Sequence, residues 1–244
     1  MKIRFAELVY QGFWTALDWI YPPVCLTCGE PGYRLCVKCQ SRIKFYKNHQ
    51  QPLPGGDWAG TKQPCQAHSS TLRILTEYEG VVRECVHALK YGNNHGMGEM
   101  FAVWLAAMVH EEGWEVDLIV PVPLSQPRQK ARGYNQAARI AKPLSVYLGE
   151  AYSSFALARI RETRSQVGLS VEERQINVTG AFRAEPGVVK DKRVLLVDDV
   201  MTTGSTMRAC SEALLLGGAA AVYCVTVAGL PRKKPAPDLI QHPV

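Results

Sequence analysis

Hydrophobic residues recur along this chain in two alternating periods, and that alternation predicts the fold class. Leu72–Tyr78 alternates apolar and polar positions as a half-buried strand does, and Val81–Tyr91 switches to a helical spacing that closes at Gly92-Asn93. Met97, Met100, Phe101, Trp104, Leu105 and Met108 fall at i, i+3, i+4, i+7, i+8 and i+11, so they predict a helix with a broad buried face. This methionine and aromatic stripe reads as core, not as a cofactor surface. Further strands are expected over Val116–Val122, Ser154–Ile160, Arg193–Val200 and Ala220–Ala228. Helices are expected over Tyr134–Leu148 and over Ser205–Leu216, the second closed by Gly217-Gly218. Strands alternating with helices specify an α/β fold, a mostly parallel sheet flanked by helices with ligand groups at its carboxyl edge.

The ends of the chain read differently. Phe5, Leu8, Val9, Phe13, Ala16, Leu17 and Ile20 lie near a 3.6-residue period, an amphipathic helix stopped by Pro22-Pro23. Met1-Lys2-Ile3-Arg4 superficially suggests an export signal. Glu7 and Asp18 interrupt the apolar run, however, and no small-residue cleavage site follows. Packing of this helix on the protein's own core is expected, with a membrane-surface role as the alternative. No apolar run reaches the ~18 residues of a membrane span. Asn48–Pro64, rich in Gln, Pro and Gly, reads as a linker, and the Lys- and Pro-rich residues after Pro231 read as a disordered tail. The expected organisation is an N-terminal helix, cysteine module and linker over 1–66, an α/β domain over 67–230 and a tail over 231–244.

Composition narrows the class without naming it. In 244 residues, 47% are hydrophobic and 20% charged, ordinary values for a soluble globular protein. The net charge of +6 is uneven, with eight basic against four acidic residues in 1–70 and 20 against 18 beyond. Arg128, Lys130, Arg132, Arg139 and Lys142 form a run with no acid among them. Such a run suits nucleic acid or polyphosphate, and equally a solvated basic face.

Eight cysteines without an export signal point to metal before disulfides. Cys25-x-x-Cys28 and Cys36-x-x-Cys39 lie within fifteen residues, with Gly29, Pro31 and Gly32 supplying the turns. Two such knuckles can close a tetrahedral shell of four thiolates, which leaves no open position for water and makes a structural Zn2+ site. Redox-active pairs are the alternative. Cys65-x-x-His68 has no partner pair and stays unassigned, while Cys85, Cys210 and Cys224 sit in apolar periodic segments as small core residues. The six histidines form no ligand-spaced group.

The strongest chemistry lies in Val194–Met207, VLLVDDVMTTGSTM. An apolar run ending in acids would deliver Asp198 and Asp199 to the sheet's carboxyl edge. Thr202, Thr203, Gly204, Ser205 and Thr206 would then sit where the next helix begins, with free N–H groups and a positive dipole end. Gly204 lets a phosphate approach the backbone, and the hydroxyls add donors. The carboxylates suit sugar hydroxyls or a divalent metal. No lysine follows the glycine, so the stretch is not a Walker loop, and a lone Gly204 is not a dinucleotide fingerprint. A second segment converges on the same edge: Pro121-Val122-Pro123-Leu124, then Arg128 through Arg132-Gly133-Tyr134-Asn135-Gln136, where Arg128 and Arg132 can pair with oxyanions. Arg159 to Asn177 is polar, lacks a clean period and reads as a mobile loop.

The VDDVMTTGST stretch resembles the phosphoribosyl-pyrophosphate (PRPP) loop of type I phosphoribosyltransferases. With the four-cysteine knuckles, P-V-P-L…R-x-x-x-R-G-Y-N-Q and T-x-x-Q-x-G-L-S-x-x-E-R-x-x-N-V-x-G-A-F in that order, the chain is similar to the ComF family, linked to competence and DNA uptake. The resemblance implies a zinc finger fused to a type I phosphoribosyltransferase domain, in the cytoplasm. It also implies roles: Asp198 and Asp199 on the ribose hydroxyls, Thr202–Thr206 on the 5-phosphate, Arg128 and Arg132 at the pyrophosphate with Mg2+, and Thr163, Gln166 and Arg174 in a hood loop. Two functions follow from it: a phosphoribosyltransferase of unknown acceptor, or a non-enzymatic PRPP sensor or single-stranded-DNA-binding module working with a competence helicase. A hood loop of this kind often belongs to a homodimer. Relatives carry further C-x-x-C pairs, of which Cys65 and His68 alone could be remnants, so one zinc is expected.

Overall fold

The computed structural model describes residues 22–46, 70–92, 94–161 and 180–230, together with positions 12, 19 and 178. In chain order these residues form α1 Val37–Gln40, β1 Ser70–Glu77, α2 Gly80–Tyr91, α3 His95–Glu111, β2 Leu118–Pro121, α4 Gln126–Arg132, α5 Gln136–Leu148, β3 Ala151–Tyr152, β4 Leu157–Arg159, β5 Phe182–Ala184, α6 Pro186–Val189, β6 Arg193–Met201, α7 Ser205–Leu216 and β7 Ala221–Gly229. The N-terminal helix apart from Gly12 and Trp19, the linker with Cys65 and His68, the hood-loop residues Thr163, Gln166 and Arg174, and the tail lie outside the described residues.

A parallel sheet buried on both faces needs strands that are apolar at nearly every position, and β6 has that composition. The five-stranded sheet runs β1-β7-β6-β2-β3, with every neighbouring pair parallel. The strand period of two divides each strand between two cores. Leu195 and Val197 of β6, Val225 and Val227 of β7 and Ile119 of β2 pack with α2, α3 and α5. Val194 and Leu196, Val222 and Cys224, and Leu118 and Val120 pack with α7 on the opposite face. The doubly covered parallel sheet expected from the hydrophobic pattern is therefore present.

Departures from expectation have local causes. The expected strand Ser154–Ile160 shortens to β4, which leaves the main sheet and pairs antiparallel with β5. The expected helix from Tyr134 begins instead at Gln136, because Asn135 is its N-cap, its side-chain oxygen accepting the Ala137 N–H at 2.9 Å. Gly133, at φ 77°, closes the separate short helix α4 just before it.

The cysteine module is built onto the sheet. The Glu77 N–H donates to the Lys44 carbonyl and the Tyr46 N–H to the Leu75 carbonyl, a short antiparallel contact along β1. Phe45 meets Trp104 edge to face at 5.5 Å. Cys25, Leu35, Cys36 and Cys39 share one buried core with Val81, Val82 and Cys85 of α2.

Candidate functional site

The two knuckles bring their four sulfurs together. Gly29 and Gly32 take left-handed φ values of 77° and 86°, which turn the chain so that Cys25, Cys28, Cys36 and Cys39 place their Sγ atoms within 4.8 Å of one another. The Cys36 N–H donates to Cys25 Sγ at 3.4 Å, and Cys28 Sγ lies 3.5 Å from Cys36 Sγ. Zn–S bonds of about 2.3 Å set sulfurs about 3.8 Å apart in a tetrahedron, so the donors fit a structural Zn2+. Charge leads to the same ion. Burial raises the Cys25 thiol, but the N–H groups of Cys36, Cys28 and Thr27 outweigh it and hold it at about 6. Cys39 is pushed up to about 12 by burial and by its neighbours' sulfurs. A cation among the four sulfurs would let all of them ionise.

The carboxyl edge of β6 presents both acids. Successive strand residues face opposite sides, so Asp198 falls on the α7 side and Asp199 on the side of α2 and α5. Asp198 accepts the Asp199 N–H at 2.8 Å, and burial together with the Asp199 charge raises its carboxyl well above the usual range. Asp199 is 3% exposed and is held by two groups from the helical layer. Lys90 Nζ lies 2.6 Å from its Oδ2, and Gln136 Nε2 donates to its Oδ1 at 3.2 Å. Burial works against the Lys90 ammonium, and the Asp199 carboxylate overcomes that, so its pKa is raised.

Beyond the acids the chain turns at Gly204, φ 77°, which is the N-cap of α7. Gly204 has no side chain to cap this twelve-residue helix, and a helix N-terminus of this kind favours an anion. Thr203 and Ser205 bring their hydroxyl oxygens within 2.8 Å of each other at this turn. The expected phosphate loop and the two acids are thus contiguous at one sheet edge.

The segment after β2 completes the edge, and each residue of Gly133-Tyr134-Asn135-Gln136 has a distinct task. Gly133 ends α4. The Tyr134 hydroxyl donates to the Leu89 carbonyl at 2.7 Å, fixing α2. Asn135 donates to the Val122 carbonyl while capping α5. Gln136 reaches Asp199 and accepts a hydrogen bond from Arg132 at 2.9 Å. Arg132 also donates to the Tyr91 hydroxyl at 3.0 Å and lies over that ring. Lys90, Tyr91, Arg132, Tyr134 and Arg139 line a cleft of about 380 Å³, with no carboxylate in its lining among the described residues. Arg128, expected beside Arg132, sits one turn earlier on the exposed surface of α4 and does not line the cleft.

Lys90 and Gln136 are the residues that the motifs alone did not single out as ligands of the acids. Lys90 had a sequence signal: it continues the i+4 row of the buried Val82 and Val86, where a lysine needs a partner.

A doubly wound sheet with paired acids, a glycine-hydroxyl loop and a cationic cleft at one edge, joined to a four-cysteine module, defines a phosphoribosyltransferase-type domain with a zinc ribbon. Residues 104–240 match the phosphoribosyl transferase domain family, and residues 16–67 match the double zinc ribbon domain family. Among the described residues one four-cysteine group is present. The chain is 35% identical to DNA utilization protein YhgH of Escherichia coli (strain K12), over 84% of this chain and 88% of that protein. It is 42% identical to the Salmonella typhi protein of the same name over the same shares. Its identity to Competence protein F of Haemophilus influenzae is 30%, over 78% and 83%. The chain belongs to the ComF family.

Proposed function

We propose that this protein binds PRPP and acts as a Mg2+-dependent phosphoribosyltransferase. The observation that supports this most is the contiguity of two acids, a helix N-terminus entered through Gly204 and a cationic cleft at one sheet edge. In this reading Asp198 and Asp199 accept from the ribose hydroxyls, and Thr202–Thr206 with the N–H groups of α7 take the 5-phosphate. Arg132 lies nearest the departing pyrophosphate, and Arg128 would join it only through movement of α4. The hard oxygens of Asp198 and Asp199 suit Mg2+, which when bound supplies neutralising charge for the diphosphate. The C1–O bond of PRPP breaks with its electron pair leaving on pyrophosphate, an acceptor lone pair forms the new bond to C1, and the acceptor's proton goes to solvent. The protein's contribution is positioning and electrostatic stabilisation, and it needs no nucleophile of its own.

Pyrophosphate release from PRPP and Mg2+ tests this, measured with and without nucleobases, amines and single-stranded DNA. Release stimulated by one acceptor is expected. PRPP binding with no stimulation by any of them would sink the enzymatic reading.

A second reading, a PRPP sensor or DNA-binding module of the cytoplasmic DNA-uptake machinery, draws on the exposed Arg128 and Lys130 of α4 and on the relatives' names. Single-stranded DNA, a competence helicase and a second copy of the chain would be its partners. Salt-dependent DNA binding that survives Asp198→Ala and Asp199→Ala would favour it, because counterion release needs only the basic groups.

A further inference from the structure

Lys90 stands at the seam between the two halves of the candidate site. Its ammonium lies 2.6 Å from Asp199, and the same side chain lines the cleft beside Arg132 and Arg139. Holding Asp199 in place does not by itself require a lysine here. Gln136 already does so as a neutral donor, and Lys90 also lines the cleft together with Arg132 and Arg139. Asp199 balances one of these three charges, and a multiply charged anion in the cleft would balance the others. An ammonium also carries three N–H donors on a compact point charge, and among the described residues Asp199 is its ion-pair partner. A second route runs in parallel, since Arg132 donates to Gln136, which donates to Asp199. Two cations of the cleft are therefore wired to the same buried carboxylate.

We propose that Lys90 is a substrate-contacting residue that joins the sugar and diphosphate halves of the site, one N–H fixing Asp199 for the ribose and the others donating to diphosphate oxygens. This rests on the PRPP reading above. It makes the two halves of the ligand mutually dependent: a diphosphate held by Lys90 and Arg132 steadies the carboxylate that takes the sugar.

Calorimetric titration of the zinc-loaded full chain, in Mg2+, with inorganic pyrophosphate and with ribose 5-phosphate as separate probes decides the matter. Asp199→Asn is expected to weaken ribose 5-phosphate alone. Lys90→Met is expected to weaken both probes, pyrophosphate by about tenfold or more because hydrogen bonds to charged groups are the strong ones. Lys90→Arg, which keeps the charge, is expected to restore part of the pyrophosphate affinity. Lys90→Met strands a buried carboxylate and can fail to fold. The double variant Lys90→Met/Asp199→Asn removes the stranded charge, and its pyrophosphate affinity is then read against Asp199→Asn alone. Pyrophosphate affinity unchanged by loss of Lys90, or no pyrophosphate binding by the wild-type chain, overturns the inference. A wild-type chain that binds pyrophosphate but neither PRPP nor ribose 5-phosphate instead overturns the proposed function, while the pyrophosphate arm still decides the role of Lys90.

Discussion

Single residues at the amino ends of the strands fix what happens at their carboxyl ends. Asp117 precedes β2 and accepts three hydrogen bonds from Arg193 at the start of β6: from its N–H at 2.8 Å, its Nε at 2.9 Å and its Nη2 at 2.7 Å. These clamp the register in which Val197 lies opposite Pro121, and so set where Asp198 emerges relative to the loop after β2. The Arg193 side chain and backbone N–H hold the Asp117 carboxyl at about 2, below its usual 3.8. A depressed carboxyl pKa stabilises the fold above the unfolded value, and the contribution is lost as pH falls from about 4 towards about 2. Asp117→Asn should cost less than about 1 kcal/mol at neutral pH, since both side chains are about a third exposed and water screens them. Urea midpoints should show the gap between wild type and variant closing as the solution is acidified. A gap that widens in acid would contradict the clamp.

Helices α3 and α5 illustrate how an element can be legible while its use is not. Pro143 inside α5 has no N–H, so the Arg139 carbonyl lacks its usual helical partner. Gly98 of α3 lies against that carbonyl, and a Cβ there would sit 2.5 Å from the oxygen. Gly98→Ala should therefore push α5 outward and destabilise the protein by about 1–3 kcal/mol, measurable as a lower melting temperature. Because α5 carries Gln136 and Arg139, ligand affinity should fall with it. Asn135→Ala should cost about 1–2 kcal/mol by uncapping α5 and releasing the Val122 tether. Long elements such as α3 and β6 were readable because their apolar periods repeat several times. The short α4 was not: it buries no residue, so hydrophobic periodicity cannot report it. β3 and β5, at two and three residues, are too short to show a period. The acids and the loop of the site were legible because they are adjacent in sequence. Lys90 and Gln136 were not, since their meeting with Asp199 depends on which helix the crossovers lay against that face of β6.

At the scale of the molecule, metal and core are one system. The four cysteines that fit zinc are partly the wall of the core that covers α2. Chelation should therefore lower the melting temperature of the whole cooperative unit, not melt a separate module ahead of it; two resolved transitions by calorimetry would argue against this. Reconstitution should release protons, because a thiol held at about 12 must ionise to bind, and zinc affinity should fall as pH falls.

Helix α2 packs beside the cysteines at Val81, Val82 and Cys85 and carries Lys90 into the site at its other end, about 18 Å long at 1.5 Å per residue. Dissection of this protein into pieces is thereby compromised. A fragment trimmed to the transferase-like half would wet the apolar flank of α2 and misplace the lysine it delivers. Loss of function in such a fragment would report a spoiled scaffold and would say nothing about what the missing piece recognises.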